Sequence, residues 1–424
     1  MRVWLINTGE PLPIDPGHRP LRAGLLARQL LAAGHEVVWW TSTFNHGLKT
    51  QRFPLDKTID VESGFRLRLL HSVNYSRNLS LRRLLNHIGV ANRFRSSADT
   101  EKRPHIILCS LPTLELSAAA TEYGQQMDIP VLLDVRDLWP DIFVELFPRA
   151  IRAAVRFVLE PLFHSSRQSC RRAEAIVGIT PEYVDWGLKK AGRERREWDR
   201  DFPLGYSDET PPEEDIRKAE AFWDQLGISS NSDEFNVCFF GMMGWQVDLS
   251  TAILAAKELA VSGRKVKLVL CGTGDRLQDY KQQALSLGAP VLFPGWVGRP
   301  QIWSLMRRSA IGLCPYIDTI NLKGNIPNKP IEYLSGRLPL VSSISGALSS
   351  LLERHECGIT YAYGKSEHLA AALASYYDKP EMRLRQSHNA FELFKSRFRA
   401  ETVYAEMTTY MQQLVASRRA PVSN

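Results

Sequence analysis

The sequence predicts an α/β protein with two doubly wound domains in tandem. Short apolar strands alternate with amphipathic helices from the start of the chain, as in residues 2–7, 21–33 and 36–41. This alternation is typical of a parallel sheet covered by helices on both faces. It stops in an acidic, proline-containing stretch at residues 207–215 and resumes at Phe235. The 424 residues leave room for two such domains, since a domain takes roughly 100–200 residues.

Apolar segments at regular intervals complete both domains. In the first domain, which we predict to span residues 1–206, further strands are expected at 66–70, 106–110, 131–135 and 175–180. In the second, predicted to span 207–395, strands are expected at 235–240, 265–271, 290–293, 311–315 and 338–343. A helical pattern at 381–417 predicts a final helix. Its part from about residue 396 to 424 is expected to pack back on the first domain.

The composition is that of a folded protein with a positive surface. The chain is 44% hydrophobic and 23% charged, which excludes a disordered polymer. Its apolar runs fall short of the ~18–20 residues that a membrane-spanning helix needs. The start of the chain resembles a buried strand more than a signal peptide, so a cytoplasmic protein is expected. The net charge of +7 favours an anionic partner.

No pattern in the sequence predicts a metal site. The six cysteines lie far apart in apolar segments and are interpreted as core thiols. The ten histidines show no ligand spacing. Asp199 and Asp201 have the D-x-D spacing of metal-dependent transferases, but we interpret them as surface residues near the connection between the domains. We therefore expect neither a metal nor a cofactor.

Glycine turns follow two strands of the second domain. Gly241 and Gly244 follow one strand, and Gly272 and Gly274 follow the next. Ligands of doubly wound sheets bind beyond the carboxyl ends of the strands, where glycines let backbone amides approach a phosphate. Each turn alone could also be a plain strand-to-helix connection, but two in one domain favour a nucleotide site. The loop at 293–298 could hold a flat base in the same way.

Residues 325–341 form the most specific segment. Asn328 is expected to cap a helix with Pro330 in its first turn. Lys329 and Glu332 would share one face of that helix. The helix start could then bind a diphosphate, and Glu332 could accept hydrogen bonds from a ribose. The alternative is an ordinary exposed Lys/Glu pair.

This segment resembles the signature of a known enzyme family. KPIEYL at 329–334, followed by GRLPLV at 336–341, is similar to the carboxyl-domain signature of family 4 glycosyltransferases. DVRDLWPD at 134–141 and WWTSTFNH at 39–46, with Lys49 and Arg52, resemble a subgroup of O-antigen, capsule and exopolysaccharide clusters. The resemblance implies a GT-B fold of two Rossmann-like domains that face a cleft with the active site. It also implies a retaining, metal-independent sugar transfer.

The resemblance also assigns roles to residues. It implies that Glu332 binds ribose, that residues 325–329 meet the diphosphate and sugar, and that residues 295–297 lie near the base. Many members carry a glutamate where this chain has Gly324, and an Arg and a Lys in the region of Met242 and Gln246. The candidates for the missing phosphate cation are therefore Lys329 and Arg136. The predicted donor-site residues are Gly241, Gly244, Gly272, Gly274, Gly295, Trp296, Val297, Asn325, Ile326, Pro327, Asn328, Lys329 and Glu332.

The predicted catalytic residues are Asp137 and Arg136. They emerge at the carboxyl end of an apolar strand, where a carboxylate could bind a sugar hydroxyl or stabilise oxocarbenium charge. With no nucleophile in place, the leaving diphosphate would take the acceptor proton. The alternative is an Arg-Asp ion pair on the surface.

Residues 77–103 predict a contact with an anionic membrane. Seven basic residues face two acidic ones there, and apolar residues interleave with them. Such a segment could lie on anionic lipid or simply pack its apolar side on the sheet. The basic residues show no nucleic-acid reader motif, so nucleic acid is not expected as a partner.

The function expected from these observations is a sugar transfer at the inner face of the cell membrane. The donor would be a nucleotide-diphosphate sugar, such as a UDP-linked amino or deoxy sugar, bound by the second domain. The acceptor, bound by the first domain, would be a saccharide on a lipid diphosphate in surface polysaccharide biosynthesis. The alternatives are a nucleotide-sugar epimerase on the same fold and an inactive nucleotide-binding partner subunit.

Overall fold

The computed structural model describes residues 1–78, 80–229 and 234–419, apart from the side chain of Arg419. The chain forms two compact units. The N-terminal unit comprises Met1–Gly205 and the segment from Ala400 onward, and the C-terminal unit is Tyr206–Arg399. The boundary lies one residue before the predicted one. Leu79 of the predicted membrane-binding segment and the polar stretch Asn231 to Asp233 are outside the described residues.

The N-terminal unit contains an eight-stranded sheet of order β10-β9-β8-β7-β1-β2-β6-β5. Its strands are β1 (Arg2–Ile6), β2 (Glu36–Ser42), β5 (Lys57–Glu62), β6 (Phe65–Leu70), β7 (Ile106–Leu111), β8 (Val131–Val135), β9 (Ala175–Gly178) and β10 (Arg200–Asp201), with a separate hairpin of β3 (Phe44–Asn45) and β4 (Thr50–Gln51). Its helices are α1 (Arg22–Ala32), α2 (Leu81–Ser97), α3 (Leu114–Gln126), α4 (Asp141–Glu145), α5 (Arg152–Val158), α6 (Glu160–Arg172), α7 (Pro181–Ala191) and α17 (Ala400–Arg419), with 3-10 turns at Ala98–Thr100 and Arg149–Ile151.

Both faces of the central part of this sheet are buried, because strands β1, β2, β7, β8 and β9 are apolar at most positions. On one face, α1 and α17 cover Val3, Leu5 and Trp39. On the other face, α2 and α3 cover a cluster of aromatic rings in which Trp4 stacks on Tyr123. The parallel order reverses direction between β1 and β7, so the loops after these strands and after β8 border one edge of the sheet.

The C-terminal unit has a six-stranded parallel sheet of order β13-β12-β11-β14-β15-β16. Its strands are β11 (Phe235–Phe240), β12 (Val266–Cys271), β13 (Val291–Gly295), β14 (Ile311–Cys314), β15 (Leu340–Ser342) and β16 (Gly358–Thr360). Its helices are α8 (Glu213–Gln225), α9 (Leu249–Val261), α10 (Leu277–Leu287), α11 (Arg299–Arg307), α12 (Ile320–Lys323), α13 (Asn328–Ser335), α14 (Ala347–Arg354), α15 (Ser366–Asp378) and α16 (Pro380–Leu393). The order reverses between β11 and β14, as in other doubly wound sheets.

The structure differs from the prediction in several strands and in the last helix. Strands β3, β4, β10 and β16 were not predicted, because they are only two or three residues long. Strand β5 was not predicted, because as an antiparallel edge strand it exposes most of its side chains and only Ile59 and Val61 pack inward. The single helix predicted at 381–417 is wrong. A π turn at Phe394–Phe398 buries the two phenyl rings at its ends, and Arg399 then has extended backbone before α17 begins. In the described residues, no helix is long and apolar enough to cross a membrane.

Candidate functional site

Three glycine turns pack together at the carboxyl edge of the C-terminal sheet. The amide of Gly241, after β11, donates to the carbonyl of Cys271 at 2.9 Å. The amide of Gly272, after β12, donates to the carbonyl of Gly295 at 2.7 Å, and that of Met243 donates to the carbonyl of Thr273 at 2.8 Å. The turns after β11, β12 and β13 therefore form one layer of backbone at the end of the sheet.

Two glycines in this layer leave no room for a side chain. A Cβ on Gly272 would lie 1.8 Å from the carbonyl oxygen of Gly241, and one on Gly274 would lie 2.5 Å from that of Met243. Gly272 also has a φ of +137°, which L side chains rarely adopt. Gly244 differs, because a Cβ there would meet nothing within 4 Å.

We expect Gly272→Ala to destabilise the protein while Gly244→Ala leaves its stability nearly unchanged. Strained backbone alone costs on the order of 1–3 kcal/mol, and the clash with Gly241 adds to it. Urea unfolding of the two variants would measure the difference. Equal midpoints would show that the turns can separate at little cost.

The helix that carries the predicted signature begins at Asn328. Its N-cap is Pro327, and no side chain caps it, so the expected capping role of Asn328 is wrong by one position. Pro330 lies in the first turn, as predicted. Neither proline has an N–H group, so Asn328 and Lys329 supply the amides of this helix start.

Lys329 lies over the first glycine turn. A Cβ on Gly241 would lie 2.2 Å from Lys329 Cε and 2.7 Å from its Nζ. Burial raises the pKa of the Cys314 thiol at the end of β14, and the Lys329 charge opposes that rise. The ammonium therefore lies between the turn after β11 and the end of β14. Nearby, the buried Oδ1 of Asn325 has no hydrogen-bond partner within the described chain.

Glu332 is buried, with 4% of its surface exposed. The hydroxyl of Tyr206 donates to its Oε1 at 3.1 Å. Burial raises the pKa of the Tyr316 phenol after β14, and the charge of the Glu332 carboxylate adds to that rise. An ordinary exposed Lys/Glu pair is therefore not what the structure contains. Sequence reasoning missed Tyr206, because no local pattern links it to a helix far along the chain.

The remaining predicted donor residues border the same edge. Gly295 has a φ of +86°, Trp296 is exposed and Val297 is buried. Ile326 is buried next to Asn325. Arg276, which sequence reasoning missed, follows the second glycine turn, and its amide donates to the carbonyl of Met243 at 3.2 Å.

In the N-terminal unit, Arg136 contacts a carboxylate that the sequence analysis did not connect with it. Its guanidinium forms an ion pair with Glu10, and the same carboxylate accepts a hydrogen bond from the amide of Ala23 in α1 at 2.9 Å. The preceding Asp134 forms a buried ion pair with Arg22 at 2.9 Å. Arg136 therefore shares its charge with Glu10, and its assignment as a catalytic or phosphate-binding residue stays a prediction.

Asp137 lies beside basic and aromatic groups. Its charge acts on the Arg83 guanidinium. Burial raises the pKa of the Tyr183 phenol, and the nearby Asp137 carboxylate contributes to the rise. Its amide approaches the carbonyl of Leu111 at the end of β7 at 3.3 Å. The side chain thus borders the carboxyl edge of the N-terminal sheet.

A group of four side chains lies next to Asp137, and we call it the cationic cluster: His46, Lys49, Tyr75 and Arg83. The Tyr75 hydroxyl lies 2.5 Å from His46 Nδ1, and Lys49 Nζ lies 4.9 Å from the centre of the Tyr75 ring. Burial, together with the charges of Lys49 and Arg83, lowers the pKa of His46 to about 4. His46 is therefore neutral at neutral pH. Burial, together with the repulsion between the cations Lys49 and Arg83, lowers the pKa of Lys49. Tyr75 was not predicted as a member of a site, and Arg83 was predicted only as part of the basic segment 77–103.

Several solved structures share the fold of this chain over nearly its full length. The chain superposes on sucrose-phosphate synthase from Thermosynechococcus elongatus with a TM-score of 0.70, 17% identity and coverage of 98% of this chain and 99% of that one. HepE from Anabaena in complex with UDP-glucose superposes with a TM-score of 0.65 and 16% identity, and the match covers 98% of this chain and 100% of that one. WaaG, a glycosyltransferase involved in lipopolysaccharide biosynthesis, superposes with a TM-score of 0.60 and 14% identity, and the match covers 99% of this chain and 100% of that one. A comparison with curated protein sequences finds no match.

Family models match both units. Residues 21–197 match a model described as a glycosyl transferase 4-like domain, and residues 225–393 match one described as glycosyl transferases group 1. The chain is a GT-B glycosyltransferase. The predicted α/β architecture of two Rossmann-like units and the predicted enzyme class are thereby confirmed.

In the D-x-D segment of this glycosyltransferase, the interpretation as surface residues is wrong for Asp199, while Asp201 is half-buried. Asp199 is buried, forms an ion pair with Arg193, and accepts hydrogen bonds from the amides of Ile176 at 2.8 Å and Arg196 at 2.7 Å. Asp201 lies in the short strand β10. Among the described residues, no group of three His, Cys, Asp or Glu side chains could hold a metal ion. The six cysteines are buried and unpaired, as predicted.

We expect glycosyltransferase activity to survive an excess of EDTA. Asp199 is committed to Arg193 and two backbone amides, while a helix start and Lys329 could bind the diphosphate without a metal. The measurement is sugar transfer before and after chelation and dialysis. Loss of activity that Mg²⁺ or Mn²⁺ restores would contradict the expectation.

Proposed function

We propose that this glycosyltransferase moves a sugar from a UDP-linked donor, such as an amino or deoxy sugar, to a saccharide on a lipid diphosphate. The transfer would retain the anomeric configuration, need no metal, and serve bacterial surface polysaccharide biosynthesis. The observation that carries the proposal is the convergence of the three glycine turns, Lys329 and Glu332 at one edge of the C-terminal sheet. This edge offers backbone amides and a cation for a diphosphate, and a buried carboxylate for a ribose.

The donor would bind this edge with its diphosphate at the glycine turns and the start of α13, and with its ribose at Glu332. Glycine turns and the start of α13 place amides and the Lys329 ammonium where phosphate oxygens would lie. Glu332 lies on the same helix, three residues after Lys329 and so about one turn further. The unpartnered Asn325 Oδ1 could accept a hydrogen bond from a sugar hydroxyl. HepE, which shares the fold, is known in complex with UDP-glucose, and this supports a UDP-linked donor.

The reaction would depend on charge stabilisation more than on a nucleophile. As the glycosidic bond to the diphosphate breaks, negative charge grows on the leaving phosphate and would be stabilised by Lys329 and the backbone amides. Positive charge on the sugar ring would be stabilised by the Asp137 carboxylate. The departing diphosphate would accept the proton of the attacking hydroxyl, because no other base is required for this step.

Turnover of a panel of UDP-sugars, with and without a lipid-diphosphate-linked saccharide, tests this function. Transfer should require the lipid-linked acceptor, and NMR of the product should show the anomeric configuration of the donor. An epimerase would instead convert the donor without acceptor. A protein that binds UDP but does neither would be an inactive partner subunit, which the uncharged Met242 and Gln246 and the Gly324 position keep as an alternative.

A membrane location is part of the proposal. One side of α2 packs on the sheet through Val90 and Phe94, while Leu81 and Leu85 are exposed. Exposed basic residues flank these leucines: Arg77, Arg82, Arg93 and Arg95. Leucines among arginines suit the surface of an anionic bilayer. WaaG, named for its part in lipopolysaccharide biosynthesis, shares the fold.

We expect replacement of Arg77, Arg82, Arg93 and Arg95 by Gln to lower binding to anionic liposomes more than tenfold at low salt, since each basic residue contributes about 1 kcal/mol near such a surface. Arg83 is left in place because it belongs to the cationic cluster. Sedimentation with phosphatidylglycerol vesicles at two salt concentrations would measure the effect. The loss should shrink as salt screens the wild-type attraction.

The matched control replaces four exposed basic residues of the C-terminal unit by Gln: Arg217, Lys218, Lys281 and Lys365. It changes the net charge by the same amount and should sediment like wild type. Equal loss in both variants would indicate a general charge effect. Wild-type sedimentation of the α2 variant would show that this helix is only a domain surface.

A further inference from the structure

An apolar groove of about 600 Å³ opens on the N-terminal unit. It lies between the start of α2 and the helices α4, α5 and α6. Its walls include Leu84, Phe147, Ile151, Val155 and Leu162, and the Trp139 ring that follows the predicted catalytic residues. Almost all of this lining is hydrocarbon, although the groove is open to solvent.

Several large apolar side chains beside the groove are exposed to solvent. Phe157 is 82% exposed and Val158 is 73% exposed. Leu81, which follows the groove-lining Ser80 at the start of α2, is 80% exposed. Contiguous exposed apolar surface of this kind marks a binding surface for an apolar partner. Within the described part of the N-terminal unit, no other segment covers these side chains.

The cationic cluster closes one end of the groove. Arg83 lines both, and its guanidinium lies 4.8 Å from the centre of the Trp139 ring. Asn78 joins them, because its Oδ1 accepts a hydrogen bond from Lys49 Nζ at 2.6 Å and its carbonyl accepts one from Arg83 at 2.8 Å. Two half-buried cations therefore sit at the end of a hydrocarbon-lined channel.

Two carboxylates lie near this end and act on Arg83. They belong to Asp137, in the predicted catalytic loop, and to Glu115, which also lies 3.5 Å from His87. Lys49 is instead held by the neutral side chains of Asn78 and His46. A ligand that spans the groove and the cluster needs a hydrocarbon chain at one end and an anionic group at the other. An apolar peptide helix would fill the groove but would bring no negative charge to Lys49.

We propose that the groove and the cationic cluster together bind the acceptor as a lipid diphosphate, with its hydrocarbon chain in the groove and its diphosphate on Lys49 and Arg83. This inference rests on the proposed function and assigns a site to its acceptor. The saccharide beyond the diphosphate then lies next to Asp137. The exposed rim of α5 and the leucines of α2 lead the chain from the bilayer into the groove.

Farnesyl diphosphate, inorganic diphosphate and farnesol serve as probes, titrated calorimetrically into the full-length protein. The proposal requires both parts of the amphiphile, so farnesyl diphosphate should bind at least about tenfold tighter than inorganic diphosphate. Ala154→Trp places an indole in the groove from an exposed position on α5. It should weaken the binding of farnesyl diphosphate about tenfold and leave the affinity for inorganic diphosphate unchanged. Ala153→Trp, exposed on the same helix but outside the groove, is the matched control.

The head-group end is tested with Lys49→Gln combined with Arg83→Gln. This variant should weaken both diphosphates about tenfold or more, since charge-assisted hydrogen bonds are lost. The matched control combines Arg28→Gln with Lys57→Gln, two exposed positions of the same unit outside the cluster, and should bind both diphosphates like wild type. UDP affinity and the unfolding temperature, measured for every variant, confirm that each is folded.

Two results would overturn the proposal. The first is an unchanged affinity of the Ala154→Trp or the double variant for farnesyl diphosphate. The second is equal affinity of the wild type for farnesyl and inorganic diphosphate. These outcomes are separate from a failure of the proposed function, which would show as absent UDP binding or as transfer to acceptors without a lipid.

Discussion

Replacing Lys329 with Met is expected to lower kcat for sugar transfer by about 10²–10³-fold, the usual effect of removing one preorganised group that stabilises transition-state charge. Lys329 Nζ lies over the turn after β11, where the leaving diphosphate is proposed to bind. Met keeps the apolar stem of the side chain as far as the position of Cε and lacks only the ammonium, so most of the packing beside Gly241 is retained. The measurement is steady-state transfer with a saturating UDP-sugar.

Lys323→Met provides the control for this variant. Lys323 lies a short distance earlier in the chain, at the end of α12, where it is exposed and forms an ion pair with Asp318 at 3.1 Å. Its loss should change kcat less than about twofold, because exposed ion pairs contribute little. If Lys329→Met retained wild-type kcat, Arg276 beside the second glycine turn would become the candidate for the phosphate cation.

The importance of Lys329 follows from what this chain lacks. Related signatures place an Arg and a Lys near the turn after β11, where this chain has Met242 and Gln246. Met242 is 69% exposed, and the backbone carbonyl of Gln246 is used to accept the amide of Ile317 at 3.1 Å. Neither side chain can stabilise a phosphate by charge. The negative charge of the donor phosphates would therefore be stabilised by Lys329, Arg276 and the backbone amides of the turns.

The sequence predicted those parts of the site that depend on local patterns. Buried parallel strands are continuous apolar runs, so β11, β12 and the turns that follow them could be placed directly. The role of these glycines in phosphate binding stays a prediction. The structure adds that Gly272 and Gly274 approach another backbone so closely that a Cβ atom is excluded. The start of α13 was placed within one residue, which is the usual uncertainty of helix ends.

Contacts between distant segments could not be predicted. Tyr206 reaches Glu332 within the C-terminal unit, and Lys49 meets Arg83 through Asn78 within the N-terminal unit. Each contact forms because folding brings together segments that are not neighbours in any local sequence pattern. The same limit explains the error at Asp199. A D-x-D spacing shows nothing of the Arg193 guanidinium and the backbone amides that surround the carboxylate. Polar residues at element ends are therefore the least predictable part of this fold.

Replacing Glu332 with Ala is expected to weaken UDP binding by about 10- to 100-fold, because hydrogen bonds to a charged acceptor contribute roughly 1.5–3 kcal/mol each. The carboxylate is buried and held by the Tyr206 hydroxyl, so it is preorganised to accept ribose hydroxyls. Calorimetric titration of UDP into wild type and variant measures the loss. Glu353→Ala, on the exposed side of α14, should bind UDP like wild type.

A second ligand shows whether the loss comes from the ribose. UDP that lacks the 2′ and 3′ hydroxyls should bind wild type as weakly as intact UDP binds Glu332→Ala, and the variant should bind both ligands alike. Such non-additivity would show that the carboxylate and the hydroxyls interact directly. Tyr206→Phe should cause a smaller loss, because the carboxylate keeps its charge and loses only one orienting hydrogen bond. Additive losses in the two-by-two comparison would mean that Glu332 supports the fold of α13 and that the ribose binds elsewhere on this edge.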